Sequence, residues 1–307
     1  MFNDIKPPGL SLSELANKLV ESRIQSQPSA VASLIPKPLP LPPPTPPKDL
    51  KSPLTKKWNP AFYSMIRSRL RGVTSQNSKR IRNITEGLTM PDITSVPIGS
   101  AKRMEAAVLF IDLENFTTIA SQLSNENVLY FLNIIIPEMM RIIKYWKGEV
   151  EKNTGDGLMA IFGTETRNSF LIARDAIESA MTMKYVMLND IQPKLLLDGL
   201  PKMDFRIGID MGYVLISRIG VNNLNFLTVV GDAANRASKL QAYASQNGIC
   251  LGENFYNNIA PILQPYCEAG THEAWNWQYT ATGAPYRYFH YGCEWPDPKE
   301  WVKVRFS

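Results

Sequence analysis

The sequence predicts an α+β domain, and three observations carry the prediction. From residue 105 onward, short apolar runs of strand type alternate with longer segments of helical period. Two of the runs flank the turn Thr154-Gly-Asp-Gly157, which reads as a tight hairpin with an aspartate between two glycines. The chain has 307 residues, 44% hydrophobic and 20% charged, enough to bury a sizeable core.

The elements follow in order. Ser11-Leu-Ser-Glu14 has the form of a capping box, and Leu12, Leu15, Ala16 and Leu19 then recur at helical spacing, which predicts a short amphipathic helix over 12–24. Residues 36–47 hold Pro at most positions. Proline fixes φ and removes the backbone donor, so this segment reads as an extended spacer. Residues 1–58 are therefore expected to be a short helix plus a Pro-rich linker, largely disordered. Residues 59–103 read as a basic helical connector, with Arg67, Arg69, Arg71, Lys79, Arg80 and Arg82 among Met65, Ile66, Leu70, Ile81 and Ile84 over a pair of helices at 59–86. The main domain spans 104–260. A buried strand is expected at 106–112, a helix at 125–147 kinked by Pro137, and hairpin strands at 148–153 and 157–162. A helix at 166–189 comes next, followed by a loop rich in leucine and lysine. Strands near 203–211, 213–217 and 225–230 lead to a helix from Asp232 to Ala244. The order β-α-β-β-α-β fits a ferredoxin-like core with helices on the sheet. Residues 261–307, rich in Trp and Tyr, are expected to add strands that complete the sheet.

Composition narrows the function classes. The net charge of +5 and pI near 9 reflect positive residues concentrated before residue 105, and a nucleotide is as good an anionic partner as a nucleic acid. No nucleic-acid partner is expected. Three cysteines are too few and too scattered for a disulfide framework or a zinc site, which points to a reduced, cytoplasmic compartment. No apolar run approaches the roughly 20 residues of a membrane helix, and the first residues lack the parts of a signal peptide. A phosphate-binding G-x-x-x-x-G-K-(S/T) loop is absent, and His272 and His290 are the only histidines, which disfavours a P-loop NTPase, a zinc hydrolase or a His-based triad.

Four segments hold the chemistry: Phe110-Ile-Asp-Leu-Glu-Asn-Phe-Thr117, the stretch Glu151 to Gly163, Phe205-Arg-Ile-Gly-Ile-Asp-Met-Gly212 and Thr228-Val-Val-Gly-Asp-Ala-Ala-Asn-Arg-Ala-Ser-Lys-Leu240. Asp112 and Asp156 fall at the ends of strands. Alone, either would read as a solvated turn residue; two carboxylates at the ends of adjacent core strands can cradle a divalent cation carrying a nucleoside triphosphate.

In this order and spacing the segments resemble the class III nucleotide cyclases over roughly residues 104–260. The resemblance implies a homodimer with shared active sites that turns a nucleoside triphosphate into a 3′,5′-cyclic monophosphate and pyrophosphate, using two Mg²⁺ or Mn²⁺ per site. It implies Asp112, Asp156 and the Leu113 carbonyl as metal ligands. Asn115, Phe116 and Thr117 would hold the triphosphate at the start of a helix, and Asn235 would orient the ribose. The position four residues later, an arginine in the family, is Lys239 here, which keeps the charge and loses the bidentate fork. Arg236 lies one residue from Asn235 and so points elsewhere. A late phosphate-binding lysine is also missing, with Arg287 the nearest cation, and Asp210 stands where a histidine is commoner.

Lys152 and Thr228 occupy the base-reading positions. Taken literally they suit adenine, hence ATP. The absence of a recognisable sensor, the replaced arginine and the aromatic extension instead resemble the pyrimidine cyclases of bacterial antiphage (Pycsar) defence. That resemblance implies cyclic UMP or CMP and a separate cyclic-nucleotide-responsive effector. A non-catalytic nucleotide-binding module stands as the alternative from another class.

Overall fold

The computed structural model describes residues 58–80, 101–163, 168–221, 224–279 and 281–296. The expected helix at 12–24, the proline spacer and residues 81–100 lie outside the described residues.

Strand β1 (Ala101–Leu113) lies inside the sheet, paired with a neighbouring strand on each side. It is buried on both faces: Ala107, Leu109, Ile111 and Leu113 enter one core, while Ala106 and Val108 enter a second on the opposite side. Two-sided burial explains why its sequence is a continuous apolar run rather than an alternating one. The short helix α2 (Phe116–Ala120) follows, then α3 (Asn125–Tyr145), capped by the Ser124 side chain and uninterrupted at Pro137. The hairpin strands β2 (Gly148–Asn153) and β3 (Gly157–Phe162) lie where the sequence predicts them.

Helix α4 (Ser169–Val186) does not stop at a loop. It passes through a π-helical turn (Met187–Ile191) into α5 (Gln192–Leu197). The leucine- and lysine-rich stretch expected as a loop is therefore helical to Leu197. The reason is burial: Met187, Ile191 and Leu195 all enter the main core. Strand β4 (Phe205–Val221) is likewise one strand, where two were expected. Gly212 does not break it, because it is held in register with Ala106 of β1.

Strand β5 (Leu224–Val230) pairs with the outer part of β4 and leads into helix α6 (Asp232–Tyr243). The chain continues through β6 (Ile249–Gly252), a helical turn α7 (Glu253–Tyr256), β7 (Cys267–Ala269) and β8 (Tyr288–Tyr291). The sheet order is β2-β3-β1-β4-β6-β8-β7, with β5 paired to β4. The first four strands in that order are antiparallel neighbours, which is the ferredoxin-like arrangement.

Two parts of the chain are more integrated than their composition suggests. In α1 (Pro60–Arg80), Phe62, Ile66 and Leu70 recur every fourth residue and bury in the main core with Trp58. Two of its arginines are ion-paired to the domain, Arg69 to Glu138 at 2.6 Å and Arg67 to Asp190 at 3.2 Å. Among its described residues, the C-terminal extension supplies the short strands β7 and β8. Most of its aromatics act by ring packing, and Trp295 stacks on Trp58 at 5.5 Å between ring centres.

Candidate active site

Asp112 sits at the end of β1, in register with Gly157 on one side and Arg206 on the other. The hairpin that carries Asp156 is shaped by its glycines. Gly155 adopts φ 103°, a left-handed conformation that glycine takes without steric cost, and its N–H donates to Asn153 Oδ1 at 2.8 Å. At Gly157 a Cβ would lie 2.6 Å from the Ile111 carbonyl oxygen, so no larger residue lets the hairpin approach β1 this closely. Leu113 N–H donates to the Asp156 carbonyl at 3.2 Å and fastens the turn to the strand end.

These constraints bring two carboxylates together. Burial, and then the charge of Asp156, push the Asp112 carboxyl above its ordinary value; a hydrogen bond from Gln241 and the charge of Arg206 pull it back. A cation at this point would relieve that repulsion. Among the described residues no group of three or more acidic, His or Cys side chains is placed to hold a metal ion without other donors. The donors on offer would be two carboxylates with backbone carbonyls, a hard-oxygen set of the kind that suits Mg²⁺ or Mn²⁺.

The turn after Leu113 places Asn115 in a left-handed conformation, φ 57°, at the start of α2. Asn115 and Thr117 are exposed. Phe116 is half-buried, with its ring 6.3 Å from that of Phe131, so toward a ligand it offers its backbone.

Lys152 is exposed on β2. The strand bulges between Val150 and Lys152, which turns Glu151 inward. Burial raises the Glu151 carboxyl, offset by Lys152 and by the backbone N–H of Val229. Glu151 thus lies near Val229 of β5, the neighbour of Thr228. Thr228 lies opposite Ser217 on the outer face of the β4–β5 ribbon, with Phe226 and Val230 two residues to either side. Tyr213, Leu215, Ile219, Phe226 and Val230 are all exposed there.

Helix α6 buries Ala233, Ala234, Arg236, Ala237 and Leu240, which leaves Asn235 and Lys239 on its exposed face. Lys239 also lines a hollow of about 650 Å³ with Tyr243, Thr271, His272, Tyr288 and His290. Within one chain, and among the described residues, no hydrogen bond or ion pair joins Asn235 or Lys239 to Asp112 or Asp156. The two other candidate cations are engaged. Arg236 pairs with Asp210 in the interior, and Arg287 pairs with Glu253.

Four side chains around the site have no role assigned by the motifs: Glu114, Glu151 and Arg206 lie inside the quoted segments, and Gln241 lies just beyond the last. Gln241 Nε2 donates to Asp112 Oδ2 at 3.0 Å, and Arg206 pairs with Glu114 in the turn after Asp112. Their contacts are between residues far apart in sequence, which spacing along the chain does not reveal.

A family model described as the adenylate and guanylate cyclase catalytic domain matches residues 99–268. The cytidylate cyclase of Staphylococcus aureus is 30% identical over 149 residues, 48% of this chain and 35% of that protein. The adenylate cyclase of Anabaena cylindrica is 27% identical over 170 residues, 55% of this chain and 33% of that protein. The uridylate cyclase of a Rhodovulum species is 27% identical over 177 residues, 54% of this chain and 72% of that protein. The match thus spans about a third of the length of the first two of these relatives. The crystal structure of the adenylyl cyclase CyaB from P. aeruginosa shares the fold, with a TM-score of 0.55 at 22% identity over 64% of this chain and 98% of that one.

Proposed function

The chain belongs to the adenylate and guanylate cyclase catalytic domain family, and from that premise we propose that it cyclises a pyrimidine nucleoside triphosphate, UTP before CTP, to the 3′,5′-cyclic monophosphate and pyrophosphate. The observation that carries the reading is the convergence of Asp112, at the end of β1, with Asp156, in the β2–β3 turn that Leu113 N–H fastens to the end of β1. In the reaction the ribose 3′-oxygen loses its proton and attacks the α-phosphorus in line, and pyrophosphate leaves. A pair of Mg²⁺ or Mn²⁺ ions, when bound, supplies Lewis acidity for that attack and neutralises the phosphates. Asp112, Asp156 and the Leu113 carbonyl hold them. Asn115, Phe116 and Thr117 grip the triphosphate through the turn and its free N–H groups. Asn235 orients the ribose, and Lys239 offsets charge developing on the α-phosphate.

The active unit in this reading is a homodimer with shared sites. Two features support it. Asn235 and Lys239 face solvent without contacting the carboxylates of their own chain. The exposed apolar row Tyr213, Leu215, Ile219, Phe226 and Val230 flanks Thr228, and contiguous exposed apolar surface of this kind favours a partner. A two-fold arrangement sets the α6 face of one copy against the aspartates of the other.

The base is read by Lys152 and Thr228. Lys152 donates only, and Thr228 donates or accepts. Uracil offers O2 and O4 as acceptors and N3–H as a donor. Adenine offers N1 and its amino group, and suits the pair equally. The relatives named cytidylate and uridylate cyclase, together with the replaced arginine, favour the pyrimidine. The product would then act in antiviral signalling from the cytoplasm, through a separate effector that binds cyclic nucleotide. Among the described residues no helix is long and apolar enough to cross a membrane.

Incubation of the protein with equimolar UTP, CTP, ATP and GTP in Mn²⁺, with identification of the cyclic products, tests the reading. Cyclic UMP is expected to dominate. Dominant cyclic AMP would make the enzyme an adenylate cyclase, the reading that Lys152 and Thr228 also allow. No pyrophosphate release from any of the four would leave a nucleotide-binding module.

A further inference from the structure

Asp112 is held from helix α6 as well as from the sheet. Gln241 Nε2 donates to Asp112 Oδ2 at 3.0 Å, and among the described residues this is the only hydrogen bond of the Gln241 side chain. The other carboxylate oxygen, Oδ1, lies over Gly157, 2.9 Å from where a Cβ would stand, so it is directed toward the hairpin that carries Asp156. Gln241 therefore occupies one oxygen and leaves the other facing the second carboxylate.

The contact depends on how closely the last turn of α6 lies on β4. At Gly208 a Cβ would meet the Ala237 carbonyl oxygen and the Gln241 nitrogen at 2.3 Å, so glycine is what admits the helix. Arg206, in register with Asp112, adds a second tie. Its Nη1 donates to the Ala242 carbonyl at 3.4 Å, and its Nη2 donates to Glu114, two residues beyond Asp112. The end of α6 and the turn after β1 are thus linked twice, by side chains from two elements.

We propose that Gln241 is the positioning residue of the metal carboxylate: it sets Asp112 so that Oδ1 meets, together with Asp156, a bound divalent cation. This rests on the reading of Asp112 and Asp156 as cation ligands given above. The same helix carries Asn235 and Lys239 on its exposed face, so α6 serves both halves of the catalytic apparatus. Its front is presented to a partner and its last turn holds the carboxylate of its own chain.

The test is Mn²⁺ binding to the purified full chain without nucleotide, read from the paramagnetic resonance of free Mn²⁺. Loss of an outer-shell partner to a metal ligand typically weakens affinity about 10- to 100-fold. Gln241→Met is expected to weaken Mn²⁺ binding by that amount with an unchanged thermal midpoint. Gln241→Asn, which keeps the amide but is one methylene short, is expected to act in the same direction and decides the matter if Gln241→Met does not fold. Ser238→Ala, an exposed position on the same helix, is expected to bind as wild type. With substrate, the Mn²⁺ concentration for half-maximal rate should rise while kcat at saturating Mn²⁺ stays near wild type. The assignment is overturned if the Gln241 variants bind Mn²⁺ as wild type, if Ser238→Ala loses as much, or if the wild-type chain binds no Mn²⁺. Failure of the cyclase reading is seen separately, as Mn²⁺ binding that depends on Gln241 in a protein that makes no cyclic nucleotide.

Discussion

Arg236 and Asp210 form an ion pair in the interior of the domain, Nε donating to Oδ2 with both side chains buried. Tyr286 donates its hydroxyl to Asp210 Oδ1 at 2.7 Å, accepts from the Asn254 N–H at 2.8 Å, and lays its ring 4.2 Å from the Arg236 guanidinium. The pair fills the space where Gly252 approaches Asp210 too closely for any Cβ. It also fastens the buried side of α6 to the C-terminal extension, behind the face that carries Asn235 and Lys239. Arg236 is therefore a structural cation and not a second candidate for the transition-state charge. Arg236→Met would leave the Asp210 carboxylate buried without its partner, and removing one member of such a pair costs about 3–5 kcal/mol. Urea unfolding of the variant is expected to show a loss of that order; a wild-type midpoint would mean that Asp210 takes up a proton or another partner at no cost.

Asp112→Asn is expected to abolish cyclisation without destabilising the fold. Burial, and then Asp156, hold the Asp112 carboxyl above its ordinary value. The folded chain thus binds this proton more readily than the unfolded chain. The stability that this group contributes is full below the unfolded value and is lost as pH rises through the folded one. At neutral pH its charge works against the fold, so the variant should match or exceed the wild-type thermal midpoint. The difference should shrink as pH falls toward about 4, where the unfolded carboxyl also protonates. Melting curves at pH 7 and at the acid end check both statements; an inactive variant with a much lower midpoint at pH 7 would make Asp112 a structural residue.

Lys239→Ala is expected to lower kcat far more than it raises KM. A preorganised donor to a developing oxyanion is typically worth about 10²–10³ in rate. Lys239→Arg should retain activity or exceed it, since the fork adds a second hydrogen bond to the same oxygens. Steady-state rates with the preferred triphosphate separate the cases. A Lys239→Ala enzyme with wild-type kcat would shift attention to His272, which lines the same hollow as Lys239.

The exposed row on the β4–β5 ribbon yields a prediction about assembly. Phe226 and Ile219 are each 55% exposed and are paired across the two strands, so Phe226→Glu with Ile219→Glu places two like charges on one apolar patch. The double variant is expected to be monomeric in sedimentation and inactive, with a folded spectrum. Mixing Asp112→Ala with Asn235→Ala should restore one working site per mixed dimer. Full activity from the monomeric double variant, or no recovery in mixtures shown to exchange subunits, would overturn the shared site.

What the sequence determined by itself were the features written in local pattern. The apolar run before Asp112, the Gly155-Asp156-Gly157 turn and the helical period after Gly231 are short-range signals. Each strand or helix they predict is present, and the carboxylates stand at the strand ends where the motifs put them. The tertiary structure alone decided what depends on contacts between distant residues. Burial of Met187, Ile191 and Leu195 turned an expected loop into helix, because the core rewards continued apolar contact more than local polarity discourages it. Pairing with β1 carried β4 through Gly212 as one strand. Trp58 and Trp295, 237 positions apart in the chain, stack because both termini of the described domain return to the same side of the core. Gln241 met Asp112, Glu151 came near Val229, and Arg236 found its partner in Asp210, across separations of 129, 78 and 26 residues. Hydrogen bonds and ion pairs of this range leave no periodicity in the sequence, since nothing along the chain encodes which strand or helix will lie beside them; only packing brings the partners to within bonding distance.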